Sequence, residues 1–258
     1  MRIVTSPAAM QRQALAWRAG GRVGFVPTLG ALHEGHVALI HRARRECSRV
    51  VVSIYVNPTQ FGPKEDLARY PRPRRADLAA CRAAGVDLVF APHDLYPPDH
   101  STFVEESAVS QGRDGASRPG HFRGVATVVL KLFNLVQPER AYFGQKDAQQ
   151  VDVIRRMVRD LDVPVRIVTV PTVRAPDGVA LSSRNIYLSK EERALAVEFA
   201  RALQQAARKG SRAAGELTRV LKKLRGVKFD YVEVAGGRLC AAVWIGATRL
   251  IDNERVSV

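Results

Sequence analysis

The chain has 258 residues, of which 46% are hydrophobic and 7% aromatic, so it can build a folded core and is neither disordered nor fibrous. Forty lysines and arginines face 25 acidic residues, which gives a formal charge of +15. Its longest apolar runs, such as Ala126–Leu130, are far shorter than the ~20 residues that span a bilayer. No apolar signal segment follows Met1, so we expect a cytoplasmic protein without a membrane partner.

Neither the charge nor the cysteines identify a partner. The basic residues comprise 32 arginines and eight lysines, and they form no dense block of the kind that marks a nucleic-acid surface. We therefore predict no nucleic-acid partner. Cys47, Cys81 and Cys240 are widely spaced and contain no C-x-x-C pair, so we expect reduced packing residues.

Short apolar runs alternate with helical patterns through the first two thirds of the chain. This alternation is typical of an α/β fold, a doubly wound parallel sheet of the Rossmann-like kind. The predicted strands are Arg22–Val26, Val50–Val56, Val86–Phe90, Arg140–Phe143 and Val165–Val170. The predicted helices are His36–Glu46, Arg74–Ala84, Val125–Val136 and Asp147–Leu161.

The pattern changes after the turn signal at Pro176–Gly178. Two helical stretches come next and are followed by three strand-like runs. These elements are Lys190–Arg208, Ala213–Leu224, Phe229–Val234, Ala241–Ile245 and Thr248–Ile251. We therefore predict two domains, residues 1–174 and a smaller α+β domain at residues 175–258.

The sharpest chemical signal is Phe25–His36, where a predicted strand leads into a glycine-containing loop and an H-x-G-H tetrapeptide. Backbone N–H groups at a helix start attract anions, and the imidazoles of His33 and His36 can add charge-assisted hydrogen bonds to phosphate. Gly35 would let a phosphate approach the backbone closely. A zinc site of the H-E-x-x-H type needs histidines four apart, and here they are three apart. The remaining alternative is two incidental surface histidines.

The segment Tyr55–Gly62 follows the next predicted strand, so it lies at the same edge of the sheet. Its Gln60 offers a donor and an acceptor, which suits a hydroxyl beside a carboxylate. Since Asn57-Pro58 is also a common turn, a purely structural role for this segment stays open.

The segment Ala141–Gln150 again runs from a strand through a loop into a helix. Lys146 can neutralise a phosphate, and Asp147 can bind ribose hydroxyls or merely cap the helix. Gln150 follows Lys146 by about one helical turn, so both side chains can face one cleft.

The segment Val173–Asn185 places two hydroxyls and a guanidinium together near the predicted domain boundary. Ser182, Ser183 and Arg184 suit a clamp on a triphosphate. A capping loop explains either serine singly but explains the whole set less readily.

In this order and spacing, the four segments resemble the pantothenate synthetase family of pantoate–β-alanine ligases, which is related to nucleotidyltransferases and class I aminoacyl-tRNA synthetases. Glu65–Arg72, Ser117–Val125 and Thr248–Asn253 also look like family segments. The resemblance implies ATP-dependent condensation of (R)-pantoate with β-alanine through a pantoyl-adenylate, giving pantothenate, AMP and diphosphate.

The resemblance also implies roles for individual residues. Gln60 and Gln150 would bind pantoate, and catalysis would rely on His36 as the family's acid, with His33, Lys146 and Arg184. The residues that would bind ATP are Leu29, Gly30, Ala31, Leu32, His33, Glu34, Gly35, His36, Gly144, Gln145, Lys146, Asp147, Val173, Leu181, Ser182, Ser183 and Arg184.

The family further implies a homodimer and Mg²⁺ bound mainly through the ATP phosphates. Carboxylates suspected of helping to hold this ion are reduced here to Asp77, so we assign no protein ligand to it. Leu29 stands where the family commonly has Met, and Thr59 stands where Met or Leu is usual, which would change the fit but not the chemistry.

Two alternatives accompany this interpretation. Another H-x-G-H adenylyltransferase of cofactor biosynthesis would act on a phosphorylated acceptor, which would call for a cation where Gln60 and Gln150 stand. An RNA-binding module related to tRNA synthetases would use the positive charge, but no RNP-type aromatic motif is present.

Overall fold

Six short segments of the chain form one parallel sheet. The structure is a computed structural model that describes residues 1–17, 20–63 and 65–257. The strands are β1 (Arg2–Val4), β2 (Val23–Thr28), β3 (Arg49–Ile54), β4 (Leu88–Phe90), β5 (Arg140–Gly144) and β6 (Arg166–Val170). They lie in the order β1-β4-β3-β2-β5-β6, and every neighbouring pair is parallel.

Helices cover both faces of this sheet because its buried strands are apolar on both sides. The helices are α1 (Pro7–Trp17), α2 (Glu34–Glu46), α3 (Arg74–Ala83), α4 (Arg113–Ser117), α5 (His121–Val136) and α6 (Ala148–Asp160). Successive strand residues face opposite sides, so Phe25 packs in the core with α1, α5 and α6, whereas Val26 packs in the core with α2 and α3. The predicted doubly wound fold is confirmed.

All five predicted strands and four predicted helices of this region are present, with shifted ends. The sequence prediction missed β1, α1 and the five-residue helix α4. Three residues are too few to show a strand pattern, and α1 buries only Met10 and Ala14, so its apolar periodicity is weak. Helix α5 begins at His121 rather than Val125, directly after Gly120, whose φ of 81° starts the helix with a sharp turn.

The order of the strands determines where a ligand can bind. From β2 the chain adds β3 and β4 on one side and then returns to place β5 and β6 on the other. The loops that follow β2 and β5 therefore diverge at the carboxyl edge of the sheet and leave a crevice between them.

The remainder of the chain forms a second unit. Its elements are α7 (Lys190–Ala207), α8 (Ala213–Leu221), β7 (Val227–Ala235), β8 (Arg238–Ile245) and β9 (Thr248–Arg255). The strands form an antiparallel sheet in the order β7-β8-β9, and Phe199, Leu203 and Leu239 share a separate core with it. The predicted smaller α+β unit is confirmed. The division at residues 174/175 falls between β6 and Val179, which packs in this second core, and stays a prediction.

Two sequence-based expectations concern the whole chain. All three cysteines are buried and unbridged, as expected for packing residues. Within residues 1–17, 20–63 and 65–257, no helix combines the length and apolar character needed to cross a membrane.

Close packing of α5 against the loop after β3 fixes the position of Gln60. A Cβ on Gly124 would lie 2.3 Å from the carbonyl oxygen of Thr59 and 2.7 Å from the Cα of Gln60. The side chain of buried Asn57 also donates to the carbonyl of Gly124, at 3.2 Å. Only glycine allows this approach without displacement of the loop.

We expect Gly124→Ala to lower the free energy of unfolding by about 1–3 kcal/mol, because an added methyl group must push two backbone segments apart. Urea unfolding measures this change. The matched control is Gly215→Ala in α8, where no atom lies within 4 Å of the new Cβ and helix propensity favours alanine. Equal unfolding midpoints for the two variants would show that the contact at Gly124 carries no constraint.

Candidate active site

The carboxyl edge of the parallel sheet opens into a cavity of about 220 Å³. The loops after β2, β3 and β5 line it together with α5, and Leu181–Arg184 close it from the second unit. A second cavity of about 340 Å³ adjoins it between the two units. Five residues line both cavities, which makes them one continuous cleft: Arg118, Lys146, Asp147, Ser182 and Arg184.

The H-x-G-H tetrapeptide forms the start of α2. The N–H of Gly35 donates to Nδ1 of His33 at 3.1 Å, and the N–H of His33 donates to Nδ1 of His36 at 3.3 Å. The two imidazoles thus cap the helix as a serine and a glutamate do in an ordinary capping box. Because both Nδ1 atoms accept hydrogen bonds, each neutral ring carries its proton on Nε2.

Gly35 also makes room for a side chain of its own motif. A Cβ at this position would lie 2.7 Å from Cε1 and 2.9 Å from Nδ1 of His33. The imidazole ring of His33 therefore packs where a side chain at position 35 would lie. The motif needs its glycine so that the ring of His33 can fold back over the helix start, 4.1 Å from the ring of His36.

A buried carboxylate holds the loop that precedes α2. Asp77, 2% exposed, accepts from the N–H of Ala31 at 3.0 Å and from the N–H of Leu32 at 2.8 Å. These bonds stabilise the left-handed backbone at Gly30 and Ala31, where φ is 87° and 52°. The carboxylate suspected of assisting Mg²⁺ is therefore occupied in shaping the loop.

Both capping histidines are neutral near pH 7. Burial lowers the pKa of His33 to about 4, and the charge of Lys146 adds to this effect. Burial also lowers the pKa of His36 to about 3, helped by His33 and Lys146. The sequence suggested charged imidazoles, but in this cleft they present Nε2–H donors and leave the positive charge to Lys146 and the arginines.

Lys146 lies in a short 3-10 turn, Gln145–Asp147, between β5 and α6. Its side chain is 18% exposed, and Nζ lies 3.6 Å from Oδ1 of Asp147. Asp147 makes no side-chain cap of α6, so the capping alternative for this residue is not what the structure shows. Gln150, one turn later, lines the same cavity as Lys146, as predicted.

Gln60 is 9% exposed and stands beside an apolar wall. Its Oε1 accepts from Nδ2 of Asn57 at 3.1 Å, so its NH₂ group is the end that can donate to a ligand. The backbone carbonyl of Gln60 accepts from Nδ1 of His121 at 2.9 Å. The wall consists of four side chains of α5: Val125, Val128, Val129 and Leu132.

Two arginines at the cleft are held by neighbouring carboxylates of one loop. Arg118 donates to both oxygens of Glu65, each at 2.7 Å. Arg184 donates to both oxygens of Asp66, each at 2.8 Å. Burial alone would lower the pKa of Arg184, but the bonds to Asp66 outweigh it and hold this pKa above its ordinary value.

The same loop touches the second unit through hydroxyl groups. The Tyr70 hydroxyl lies 3.0 Å from Oγ of Ser183, and burial raises the pKa of Tyr70. The hydroxyl of Tyr187 donates to the carbonyl of Arg69 at 2.9 Å. Oγ of Ser182 accepts from the N–H of Arg184 at 3.3 Å, so this serine caps the short turn that carries the arginine.

The structure brings most of the predicted site residues together. The predicted residues that line the first cavity are Leu29, His33, Gly35, His36, Gln60, Gly144, Lys146, Asp147, Gln150, Val173, Leu181, Ser182, Ser183 and Arg184. Five others belong to the same segments of the chain but do not line this cavity: Gly30, Ala31, Leu32, Glu34 and Gln145.

Sequence reasoning assigned no role to several residues that the structure places in the cleft. They are Asn57, Tyr70, Arg118, His121 and Thr172. Tyr70, Arg118 and His121 belong to segments that already resembled the family, which was the available signal. Thr172 carried no signal, although its Oγ1 is buried without a hydrogen-bond partner among the described residues.

We expect the pH dependence of stability to report the half-buried His33 and His36. An unfolded histidine titrates at about pH 6.5, whereas the pKa is lowered to about 4 for His33 and to about 3 for His36 in the folded chain. Between these values the unfolded chain binds more protons, so stability is lost as the pH falls from about 6.5 toward 4. His36→Asn should reduce this slope by up to ~1.4 kcal/mol per pH unit. Chemical unfolding at several pH values measures the slope, and an identical slope in both proteins would contradict a neutral His36.

Comparisons with known proteins agree on one family. A family model described as pantoate-beta-alanine ligase matches residues 2–255. A pantothenate synthetase of Chloroflexus aurantiacus is 55% identical over 254 residues, which covers 90% of this chain and 90% of that protein. The crystal structure of pantothenate synthetase from Thermus thermophilus matches with a TM-score of 0.93 and 47% identity over 100% of both chains.

A third comparison includes bound ligands. The pantoate-beta-alanine ligase of Francisella tularensis, whose crystal structure is described as complexed with beta-gamma ATP and beta-alanine, matches with a TM-score of 0.89 and 35% identity. The match covers 99% of this chain and 97% of that one. Because these matches extend over nearly the whole chain, the chain belongs to the pantoate-beta-alanine ligase family.

Proposed function

We propose that this protein condenses (R)-pantoate with β-alanine in a reaction driven by ATP, through a pantoyl-adenylate. The observation that carries the proposal is the convergence, in one cleft, of an anion-binding helix start with two glutamines beside an apolar wall. The helix start suits a nucleotide, and the two glutamines with the apolar wall suit a small, branched hydroxy acid. Family membership supports the same reaction.

ATP would lie across the loops after β2 and β5. The start of α2 offers Nε2–H groups of His33 and His36, and Lys146 adds a positive charge on the opposite loop. Ser182, Ser183 and Arg184 would bind the triphosphate from the second unit. Adenine offers both an apolar face and hydrogen-bonding nitrogens, which suit Val173 and the Thr172 hydroxyl that has no partner among the described residues.

Pantoate would occupy the part of the cavity beneath the α-phosphate. Its two methyl groups fit the wall of valines and leucine on α5, where apolar burial favours binding. Its hydroxyls and carboxylate need donors and acceptors, which Gln60 and Gln150 provide without adding charge. A phosphorylated acceptor would instead need a cation at these two positions, so the geometry disfavours the alternative adenylyltransferases.

The first step would join two anions. A pantoate carboxylate oxygen attacks the α-phosphorus, forms a P–O bond and expels diphosphate. No protein nucleophile takes part, so catalysis depends on alignment and on positive charge placed where negative charge develops. Lys146 and Arg184 would provide the charge, and the two imidazoles would donate hydrogen bonds from Nε2.

His36 would act differently from an ordinary acid. With its pKa lowered to about 3, it carries no extra proton to give near pH 7. We propose that it acts as a neutral donor fixed by its cap to the His33 N–H, which aims Nε2 into the cleft without a search among rotamers. Bound phosphate would raise its pKa because a nearby anion favours the charged form.

The second step would consume the adenylate. The neutral amine of β-alanine attacks the acyl carbon and forms a C–N bond, while the bond from that carbon to the phosphate oxygen of AMP breaks. AMP leaves with the bonding electron pair, and the amine nitrogen loses one proton as the amide forms. Water must be kept out until the amine arrives, and the loop Leu181–Arg184 of the second unit closes the cavity on that side. We propose that residues 175–258 act as this lid and that residues 1–174 bind ATP and pantoate.

We further propose that Mg²⁺ arrives with the ATP phosphates. Among the described residues, no group of three histidines, cysteines or acids is placed to hold an ion. Glu65 and Asp66 are bound by arginines, and Asp77 is bound by two backbone N–H groups. Magnesium binds readily through phosphate oxygens and water with few protein ligands, and it would neutralise phosphate charge. The homodimer and the cytoplasmic location stay predictions.

The decisive assay measures AMP release. We expect ATP consumption to require pantoate, and AMP to be released at every turnover only when β-alanine is also present. Pantothenate and diphosphate should form in equal amounts with AMP. ATP consumption that is independent of both compounds would overturn the proposed function and favour another adenylyltransferase.

Lys146→Ala and His36→Ala should each slow adenylate formation by on the order of 10²-fold or more, because each removes a group that meets charge developed in the transition state. Rapid-quench measurement of diphosphate release isolates this step. The matched control is Lys209→Ala, which removes an exposed lysine of the second unit. A normal rate in either site variant would remove that residue from the catalytic set.

Gln60→Ala should raise the KM for pantoate about tenfold or more while it changes the KM for ATP much less, since the side chain lies beside the apolar wall proposed to bind pantoate. Steady-state titration of each substrate separates the two effects. Gln11→Ala, at an exposed position of α1, serves as the control. An unchanged pantoate dependence would contradict the assignment.

A further inference from the structure

The third strand of the second unit passes beneath the turn that carries Lys146. Asn253 of β9 is 2% exposed, and its Nδ2 donates two hydrogen bonds across the boundary between the units. One goes to the backbone carbonyl of Gln145 at 2.9 Å and the other to the carbonyl of Lys146 at 2.8 Å. Both N–H groups of the Asn253 side chain therefore donate to the same turn of the first unit.

The two accepting carbonyls belong to the peptide units on either side of the Cα of Lys146. The carbonyl of Gln145 belongs to the peptide plane before the Cα of Lys146, and the carbonyl of Lys146 belongs to the plane after it. Since peptide units are planar, fixing both planes fixes the two backbone dihedrals between them. The bonds from Asn253 therefore set the direction in which the Lys146 side chain leaves the backbone.

Asn253 is itself held in one orientation. Its Oδ1 accepts from Nε of Arg238, which directs the NH₂ end toward the turn. Its backbone N–H donates to Oδ1 of Asp252 at 2.8 Å. Asp252, 4% exposed, is bound in turn by both terminal nitrogens of Arg174, at 2.6 and 3.1 Å. These linked hydrogen bonds leave the Asn253 amide little freedom to turn, so the network is rigid.

We propose that Asn253 is a positioning residue for Lys146, through which the antiparallel sheet takes part in adenylate formation without touching a substrate. The inference rests on the proposed role of Lys146 at the phosphates. A lysine has a long, flexible side chain, and a shift of about 1 Å at its base is enough to lose alignment with a developing charge. A fixed backbone at Lys146 reduces the number of conformations that the side chain must search.

A double-mutant cycle tests the proposal. In the otherwise unchanged enzyme, Asn253→Ala and the nearly isosteric Asn253→Asp, which cannot donate when ionised, should each lower the rate of adenylate formation by roughly 10-fold or more. In the Lys146→Ala background the same changes should cost less than about threefold, because there is no lysine left to position. Arg255→Ala, an exposed position of the same strand, is the control and should leave the rate unchanged.

Hydrogen exchange supplies a readout that does not depend on activity. Amides of residues 145–150 should exchange faster in both Asn253 variants than in the parent protein, while those of the β7-β8 pairing stay protected. A loss of rate that is the same with and without Lys146, or unchanged exchange at the turn, would overturn the positioning role. If Lys146→Ala itself retains a normal rate, the proposed role of Lys146 fails instead, and the inference about Asn253 fails with it.

Discussion

The central place of β2 in the parallel sheet determines where the rest of the cleft lies. This strand pairs with β3 along its whole length and with β5 at Gly24 and Phe25. A Cβ on Gly24 would lie 3.2 Å from the ring of Tyr142 and 2.9 Å from Sγ of Cys47, so glycine lets β5 and the end of α2 pack tightly beside the strand. The loops after β2 and β5 then emerge side by side, and the proposed contacts of ATP with His33, His36 and Lys146 follow from that adjacency.

The start of α2 shows how structure and chemistry share the same atoms. His33 and His36 use Nδ1 to satisfy backbone donors of the helix and keep Nε2–H for a ligand. Burial keeps both rings neutral, so they can donate to phosphate without requiring a proton from solvent. The formal positive charge comes from side chains of other loops. The groups that would orient the phosphates are therefore different from the groups that would neutralise them.

Much of this arrangement could be predicted from the sequence, for reasons that differ between elements. Buried parallel strands appear in a sequence as apolar runs, so the fold could be predicted. Three of these strands are followed directly by polar segments, so the meeting of His36, Gln60 and Lys146 in one cleft could be predicted too. The strand Arg2–Val4 was too short to show a period. The packing of the His33 ring against Gly35 could not be predicted, because it depends on three-dimensional packing that no spacing records. Bonds between distant segments, such as Asn253 to Gln145 or Arg184 to Asp66, leave no local pattern at all.

The pairing of three cleft cations with carboxylates has a consequence for selectivity. Arg118, Arg184 and Lys146 face Glu65, Asp66 and Asp147, so the groove is far less electropositive than its guanidinium groups suggest. An arriving polyanion must compete for partners that are already bonded, and a small ion such as free orthophosphate can displace few of them at once. A long, multiply charged chain would gain from many exchanges together, so we expect the groove to favour a triphosphate over a single phosphate.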